Sequence, residues 1–297
     1  MCNILYMSYF LFSILLLLLF LFIVLLVFFF TSRHSEDAKL VKKTNGTHQN
    51  RICMIYNYYE KNDLYKSNFI FFLENGILDD VDYYIVINGK SSVDIPKKSN
   101  IFIFNRENKG FDFGAYSYII QKGFHHKYDY YFFMNSSVKG PYTKDKWYIP
   151  FLSLFNKDTP LVGTTINIFE NKKTSANIDL YKLYGEKPYT HIQSMFFGMK
   201  HNYLQLLISM DFFNESKINK YNMGEVIVYK EIGLSQIALR NNYNINCMLP
   251  KYRNKDYRTI KSNFNTSASN GDPYYKNAYF NGMIQPSDVI FFKNNRW

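Results

Sequence analysis

The stretch from Asn108 to Pro141 decides the fold class, and it reads NKGFDFGAYSYIIQKGFHHKYDYYFFMNSSVKGP. A glycine turn opens a helical pattern whose apolar residues fall on one face: Phe113, Tyr116, Ile119 and Ile120. An aromatic run typical of a buried strand follows, and it stops at a polar triplet: Asn135, Ser136 and Ser137. The stretch therefore predicts a glycine turn, a helix of about three turns and a strand with a polar end.

Upstream of this stretch, strand and helix patterns alternate. The apolar runs RICMIYNY, VDYYIVING and SNIFIFNRE predict three strands. Between the first two lies LYKSNFIFFLENGI, a helical pattern that ends at Gly76 and rests on four apolar residues: Leu64, Phe69, Phe72 and Leu73. Alternating strands and helices predict an α/β fold with a mostly parallel sheet covered on both faces. Ligands bind such sheets at the carboxyl ends of the strands.

The glycine turn and the polar triplet both follow strands, so both are expected at this edge of the sheet. A glycine turn lets backbone approach a ligand closely, and the helix N-terminus after it favours an anion. From the turn, Asn108 and Asp112 can bond a base or a ribose. A glycine turn into a helix is also common chain geometry, and it is the second polar turn that favours a ligand site.

The composition favours anionic partners. Lys plus Arg number 35 and Asp plus Glu number 24, which gives a formal net charge of +11. Such a surplus attracts phosphates, nucleotides or membrane surfaces, although an AT-rich codon usage gives the same abundance of Lys. No run of Lys and Arg interleaved with aromatics indicates a nucleic-acid partner. No G-x-x-x-x-G-K-[ST] or G-x-G-x-x-G motif indicates a P-loop or a dinucleotide site.

The N-terminal segment from Ile4 to Thr31 contains no charged residue, and its length suffices for a helix across a bilayer. We predict an uncleaved transmembrane anchor over residues 1–31. A signal peptide, the competing interpretation, would need a basic start, a shorter apolar core and a small-residue cleavage site. Residues 32–50 are polar and predict a flexible stem, and folded structure is expected over residues 51–297.

The anchor predicts a single-pass membrane protein, but the side on which the folded part lies stays open. Basic residues follow the apolar span and none precedes it, which favours the cytoplasm by the positive-inside rule: Arg33, Lys39, Lys42 and Lys43. Three glycosylation sequons, at Asn45, Asn214 and Asn265, favour the lumen of the ER or Golgi instead.

Four segments, in one order over residues 51–297, resemble the rhamnan synthesis protein F family, which is related to family 2 glycosyltransferases. They are NKGFDFGAY, MNSSVKGPY, HIQSMFFGMK from His191 to Lys200, and FFKNNR from Phe291 to Arg296. The resemblance implies a GT-A-like (Rossmann-like) domain, with a nucleotide-sugar half followed by an acceptor half. It implies a hexosyl- or deoxyhexosyltransferase of polysaccharide biosynthesis, which moves a sugar from a nucleotide-sugar donor to a glycan or glycoconjugate.

The resemblance also implies which residues hold the donor. These residues are Asn108, Gly110, Asp112, Asn135, Ser136, Ser137, His191, Gln193, Lys293 and Arg296. The alternative for His191, Gln193 and the neighbouring Ser194 is a local cap of a strand or helix.

The sequence departs from family 2 at two positions. Ile87 stands where those enzymes carry an Asp near the base, and the neutral triplet replaces an acidic metal motif. Neutral oxygens bind a hard divalent cation less well than carboxylates do. Mn²⁺ or Mg²⁺ therefore stays open as a cofactor, with Asn135 and Ser137 as its ligands. A metal-free enzyme would need other cations at the leaving diphosphate, for which the candidates are Lys293, Arg296 and Lys139.

A transfer that inverts the configuration of the anomeric carbon also needs a base to take the proton of the acceptor hydroxyl. The segment VIVYKEIGLSQIALRNNYNINCMLPKY resembles the family 2 segment in which an acidic pair opens a helix. Glu231 stands at the first acidic position and Gly233 at the second, so Glu231 is the predicted base, with Glu225 and Asp211 as weaker alternatives. The lost acidic motif supports a second hypothesis, a membrane-anchored, non-catalytic sugar- or nucleotide-binding protein.

Overall fold

The computed structural model describes residues 50–123, 127–174 and 177–296. The predicted anchor (1–31) and, apart from Asn50, the predicted stem (32–50) lie outside the described residues. No helix within the described ranges has the length and apolar character needed to cross a membrane. From Asn50 onward the chain belongs to one folded unit.

The first six elements of this unit are the ones that the apolar patterns predict. In chain order they are β1 (Ile52–Tyr58), α1 (Asp63–Asn75), β2 (Val81–Asn88), β3 (Ile101–Arg106), α2 (Phe111–Gln121) and β4 (Tyr130–Asn135). All seven residues of β1 are buried, as expected of a strand that is covered on both faces. The four predicted core residues of α2 are buried as well.

The second half of the unit has shorter elements. Its strands are β5 (Val138–Lys139), β6 (Leu161–Gly163), β7 (Ile166–Phe169), β8 (Tyr189–Ile192), β9 (Phe196–Lys200), β10 (Ile245–Cys247) and β11 (Phe292–Lys293). Its helices are α3 (Tyr148–Leu152), α4 (Leu180–Tyr184), α5 (His201–Ser209), α6 (Glu215–Ile218), α7 (Met223–Val226), α8 (Gly233–Arg240) and α9 (Pro286–Val289). A π-helical segment, Ile227–Ile232, joins α7 to α8.

Seven strands form one sheet in the order β10-β6-β9-β4-β1-β2-β3. The β1–β2, β2–β3, β1–β4 and β6–β10 pairs are parallel, and β9 is antiparallel to both of its neighbours. The protein therefore has the mixed α/β fold with a mostly parallel sheet that the sequence predicts. The chain passes from β1 outward to β3 and then returns to β4 on the other side of β1. The crevice between β1 and β4 is thus the switch point at which ligands bind in sheets of this kind.

Two glycines, one just before α2 and one in its first turn, have a packing role. Gly110 has a φ of 69°, and a Cβ there would lie 2.7 Å from Asn219 Oδ1. A Cβ on Gly114 would lie 2.3 Å from the carbonyl oxygen of Lys109. The turn thus packs against the residues around α6, and this close packing brings the start of α2 to the edge of the sheet.

The last strand returns to the same edge. β11 pairs antiparallel with β5, so that Lys293 lies opposite Val138. Asn294 and Asn68 exchange two side-chain hydrogen bonds of 2.8 and 3.0 Å. The ring of Phe291 stacks on that of Phe196 with centroids 4.1 Å apart. These contacts fix Lys293 just beyond the end of β4.

Candidate functional site

The first four strands each carry a polar side chain at or next to the carboxyl end. These residues are Asn57 on β1, Asn88 on β2, Arg106 on β3 and Asn135 on β4. Together with Asp112 at the start of α2 and Ser137 after β4, they form one hydrogen-bonded chain, which we call the polar row.

One arm of the polar row runs from Arg106 to Asp112. Arg106 Nη1 donates to Asn88 Oδ1 at 2.9 Å, and Asn88 Nδ2 donates to Asn57 Oδ1 at 2.8 Å. Asn57 Nδ2 then donates to Asp112 Oδ1 at 2.7 Å. Because the guanidinium can only donate, it fixes the direction of each hydrogen bond in this arm.

The other arm comes from the polar triplet. Ser137 donates to Asn135 Oδ1 from both its hydroxyl, at 2.6 Å, and its backbone N–H, at 3.0 Å. Asn135 Nδ2 then donates to Asp112 Oδ2 at 2.6 Å. Both arms therefore end on the carboxylate of Asp112, which is acceptor-only when it is ionised. Since Asn57 and Asn135 lie on the two sides of the switch point, Asp112 bridges it.

Asp112 is partly exposed and its titration is perturbed. Burial is the largest cause and raises the pKa of Asp112 above its ordinary value. The amides of Asn135 and Asn57 and the charge of Lys293 act to lower this pKa, and the charge of Glu231 acts to raise it further. Lys293 and Glu231 are therefore near enough to Asp112 to be felt electrostatically.

The other two residues predicted near this edge have different surroundings. Ser136 donates to the carbonyl oxygen of Asn57 at 3.2 Å and accepts from the backbone N–H of Tyr59 at 2.9 Å, so it ties β4 to β1. Asn108 is exposed on the turn and lies outside the polar row.

A second polar group surrounds Glu231. Ser194 donates to Glu231 Oε2 from its backbone N–H, at 3.1 Å, and from its hydroxyl. His191 Nε2 faces Glu231 Oε1 at 3.7 Å. The side chain of His191 is only 4% exposed, whereas that of Glu231 is 23% exposed. We call these three residues the Glu231 cluster.

Glu231 lies within a helix and not at its start, where the family 2 resemblance places it. The helical run begins at Met223, and Asn222 and Glu225 form a reciprocal capping box there. Glu231 follows on the π-helical segment Ile227–Ile232, a kind of segment that is frequent at functional sites. Because Glu225 forms this cap, Glu231 is the carboxylate of the helical run that lies near Lys293 and Asp112.

The remaining candidates, Gln193, Asp211 and Lys139, make contacts outside the polar row and the Glu231 cluster. Gln193 is buried, and its Oε1 accepts from Thr165 Oγ1 at 2.7 Å, which ties the connection between β8 and β9 to the end of β6. Asp211 follows α5 and accepts from the side chain of Asn214 at 3.0 Å. Lys139 Nζ lies 4.9 Å from the ring centroid of Phe71, on α1.

Two cations complete the site. Burial lowers the pKa of Lys293 below its ordinary value, whereas the charges of Glu231 and Asp112 act to raise it. Burial also lowers the pKa of Arg296, against the charge of Glu231. Arg296 forms an ion pair with Asp272, and its guanidinium carbon lies 4.8 Å from the ring centroid of Tyr275. Lys293 is therefore within electrostatic range of both Asp112 and Glu231, and Arg296 is within range of Glu231.

The residues of the site do not fit a preformed Mn²⁺ or Mg²⁺ centre. The polar row offers one carboxylate, and Asn135 Oδ1 already accepts two hydrogen bonds from Ser137. Across residues 50–123, 127–174 and 177–296, no three His, Cys, Asp or Glu side chains lie close enough together to hold a metal ion. Hard divalent cations need several oxygen ligands, usually anionic ones.

Sequence reasoning missed three members of the polar row: Asn57, Asn88 and Arg106. Each is the last or next-to-last residue of one of the first three strands. Their position could have indicated them, because ligands bind at the carboxyl ends of the strands in a parallel sheet.

No protein-family model matches the chain, and a search of curated proteins gives no match. Among solved structures, the chain is similar to the mannosyltransferase PcManGT from Pyrobaculum calidifontis in complex with GDP-Man and Mn²⁺. The identity is 10%, the TM-score is 0.43, and the match covers 73% of this chain and 61% of that chain. The chain thus spans less than two thirds of that structure, and at this TM-score the likeness assigns no function.

Proposed function

We propose that this protein is a glycosyltransferase that moves a hexosyl or deoxyhexosyl group from a nucleotide-sugar donor to a glycan or glycoconjugate acceptor. The main observation in support is that the four segments resembling the rhamnan synthesis protein F family converge on one site. Asp112 comes from the first segment, Asn135 from the second, Ser194 from the third and Lys293 from the fourth. Independent surface roles would not require four distant segments to meet.

The donor is held at the switch point in this proposal. The carboxylate of Asp112 is fixed by two amides and still has lone pairs for the hydroxyls of a ribose. The nucleoside diphosphate that leaves during transfer carries negative charge, which needs preorganised cations in a site without a divalent metal. Lys293 supplies this charge beside Asp112, and Arg296 adds to it from the side of Glu231.

Glu231 serves as the base. Its carboxylate is partly exposed and is oriented by two donors from Ser194, so a hydroxyl of the acceptor can reach it. In an inverting transfer the carboxylate takes the proton of this hydroxyl as the new bond to the sugar forms. Residues 1–31 anchor the enzyme in a membrane, where glycan acceptors of polysaccharide synthesis are assembled.

A non-catalytic sugar- or nucleotide-binding protein is the second candidate. The observation that favours it is the neutral triplet Asn135-Ser136-Ser137, which lacks the carboxylates of a family 2 metal motif. In this alternative the polar row binds the ligand, and the Glu231 cluster is a structural network.

A panel of nucleotide sugars separates the two candidates. A thermal-shift screen first identifies the donor, because a ligand at 100 times its dissociation constant adds about 2.7 kcal/mol of stability. Release of the nucleoside diphosphate is then measured with glycan acceptors, in the wild type and in Glu231→Gln. Turnover that is lost in Glu231→Gln supports the transferase, and binding without turnover in the wild type supports the binding protein. If no nucleotide sugar binds, both candidates are wrong.

A further inference from the structure

His191 and Glu231 face each other in the Glu231 cluster, and the roles of their atoms can be read from their other partners. His191 Nδ1 lies 2.8 Å from the carbonyl oxygen of Tyr189. A carbonyl oxygen can only accept, so Nδ1 carries a hydrogen. In the neutral ring Nε2 is then bare, and its lone pair points toward Glu231 Oε1 at 3.7 Å.

The two oxygens of Glu231 are not equivalent. Oε2 accepts both hydrogen bonds from Ser194, whereas Oε1 is the oxygen nearest to His191. A lone pair that faces a carboxylate oxygen is unfavourable until one proton enters between them. The separation of 3.7 Å is longer than a hydrogen bond, as expected for two acceptors. Once a proton is taken up, the two groups attract each other and can close this gap.

Burial and charge act on the pair from several elements. Burial is the largest influence on His191 and lowers its pKa, while the charge of Glu231 acts to raise it. Lys293 and Arg296, from the segment that contains β11, exert their charge on Glu231, and so does Asp112 from α2. On β8 itself, the group that faces the ring is the carbonyl of Tyr189. The lowered pKa of His191 keeps its ring neutral near pH 7, so that Nε2 can accept one proton.

We propose that His191 and Glu231 form a proton-sharing pair in which His191 accepts, through Glu231, the proton released by the sugar acceptor. The inference rests on the proposed glycosyltransferase function. The acceptor O–H bond breaks, and its oxygen bonds to the anomeric carbon. The bond from that carbon to the diphosphate oxygen breaks, and its electron pair leaves with the nucleoside diphosphate. The proton passes to Glu231 Oε1 and then to His191 Nε2.

His191 acts here as a positioning residue and proton store, because its side chain is buried and cannot reach the substrate. A protonated Glu231 would otherwise need to release this proton before the next turnover. Shared with His191, the proton forms an imidazolium–carboxylate pair instead. The proton is therefore shared by the two groups, and its uptake is a property of the pair.

The first test does not depend on activity. In ¹⁵N NMR of the protein with labelled histidines, His191 is assigned by its loss in His191→Asn. We expect the neutral tautomer with the hydrogen on Nδ1 near pH 7. In Glu231→Gln the titration of His191 should move to lower pH, because the charge that favours the imidazolium is gone. A hydrogen on Nε2, or a titration that Glu231→Gln leaves unmoved, would overturn the pairing.

The second test is the pH profile of donor turnover in His191→Asn. The asparagine amide can still donate to the Tyr189 carbonyl, but it has no basic atom facing Glu231. We expect kcat to fall about 100-fold, the lower end of the usual contribution of acid–base assistance, with an unchanged donor KM. The acid limb of the profile should move to lower pH. His201→Asn is the matched control, since His201 contacts Tyr131 at the opposite end of β4.

These outcomes distinguish the proton-sharing pair from the proposed glycosyltransferase function. Turnover with an unmoved acid limb in His191→Asn would overturn the proton-sharing pair and leave the transferase standing. A wild type that releases no nucleoside diphosphate from any donor would overturn the proposed function and, with it, the catalytic use of the pair.

Discussion

At the scale of single residues, Asp112 is the acceptor at which both arms of the polar row meet. The row contains amides whose orientation is ambiguous in isolation, and it gains a single orientation because a donor-only guanidinium starts one arm and a carboxylate ends both. The carboxylate of Asp112 therefore fixes the side-chain amide orientation of Asn57 and Asn135 at the switch point. The sequence alone predicted Asp112 as a ligand residue and gave no sign of this second role.

Asp112→Asn should weaken donor binding and also lower the stability of the ligand-free protein. The new amide turns an N–H₂ group toward one of two neighbouring amides that also donate, which leaves a donor unpaired at a cost of about 1–3 kcal/mol. Urea unfolding and donor titration measure the two effects. Asp79→Asn is the control, because the side chain of Asp79 is 97% exposed. Wild-type stability together with wild-type donor affinity in Asp112→Asn would contradict this role.

His191 should make stability pH-dependent. Burial holds the pKa of His191 in the resting folded protein below the ordinary value of 6.5. At a pH between these two values, the unfolded chain binds a proton on this residue that the folded protein does not bind. Stability should therefore fall as the pH drops through about 6.5 toward the lower folded pKa. The loss in unfolding free energy between pH 7.5 and 5.5 should be smaller in His191→Asn than in the wild type. An equal loss in both proteins would show that His191 is not the group responsible.

At the scale of elements, the sequence predicted what local patterns encode. β1 to β4, α1 and α2 are visible because each carries a sustained apolar run or a helical spacing. β5 and β11 are two residues each and far apart in the chain, so their pairing leaves no local pattern. The position of Glu231 in mid-helix was readable from Asn222 and Glu225, whose spacing is that of a capping box. The π-helical turn after it depends on tertiary packing.

Asn294, the residue after β11, should hold Lys293 in place through its hydrogen bonds to Asn68. Replacing Asn294 with Ala removes both hydrogen bonds to Asn68, which is buried and would keep unpaired groups. We expect a loss of about 1–3 kcal/mol in the free energy of unfolding, together with lower donor turnover. The neighbouring Asn295→Ala is the matched control, since Asn295 makes an exposed contact with Tyr65 and should change stability by less than about 0.5 kcal/mol. Equal effects of the two variants would argue against this role of Asn294.

At the scale of the whole molecule, the site lies within the unit that begins at Asn50. All residues of the polar row and of the Glu231 cluster belong to this unit, whereas the apolar segment from Ile4 to Thr31 precedes it. If residues 1–31 are the anchor that we predict and serve only to localise the protein, then donor binding needs nothing from residues 1–46.

A truncated chain that begins at Thr47 should therefore fold without detergent and bind the same nucleotide sugar as the full chain. Circular dichroism checks the fold, and donor titration in both proteins compares their affinities, which should agree within about twofold (0.4 kcal/mol). A well-folded truncated chain that binds no nucleotide sugar, beside a full chain that does, would contradict the assignment of the donor site to this unit.

In the proposed transfer, Lys293 and Arg296 supply the positive charge for the leaving diphosphate. The most direct measurement is release of nucleoside diphosphate, with and without a chelator, in the wild type and in Lys293→Ala, Arg296→Ala and the exposed control Lys98→Ala. Wild-type turnover should survive the chelator. Turnover should fall about 10²- to 10³-fold in Lys293→Ala or Arg296→Ala, the scale for losing one preorganised electrostatic donor. Activity abolished by the chelator and restored by Mn²⁺ would contradict this role of Lys293 and Arg296.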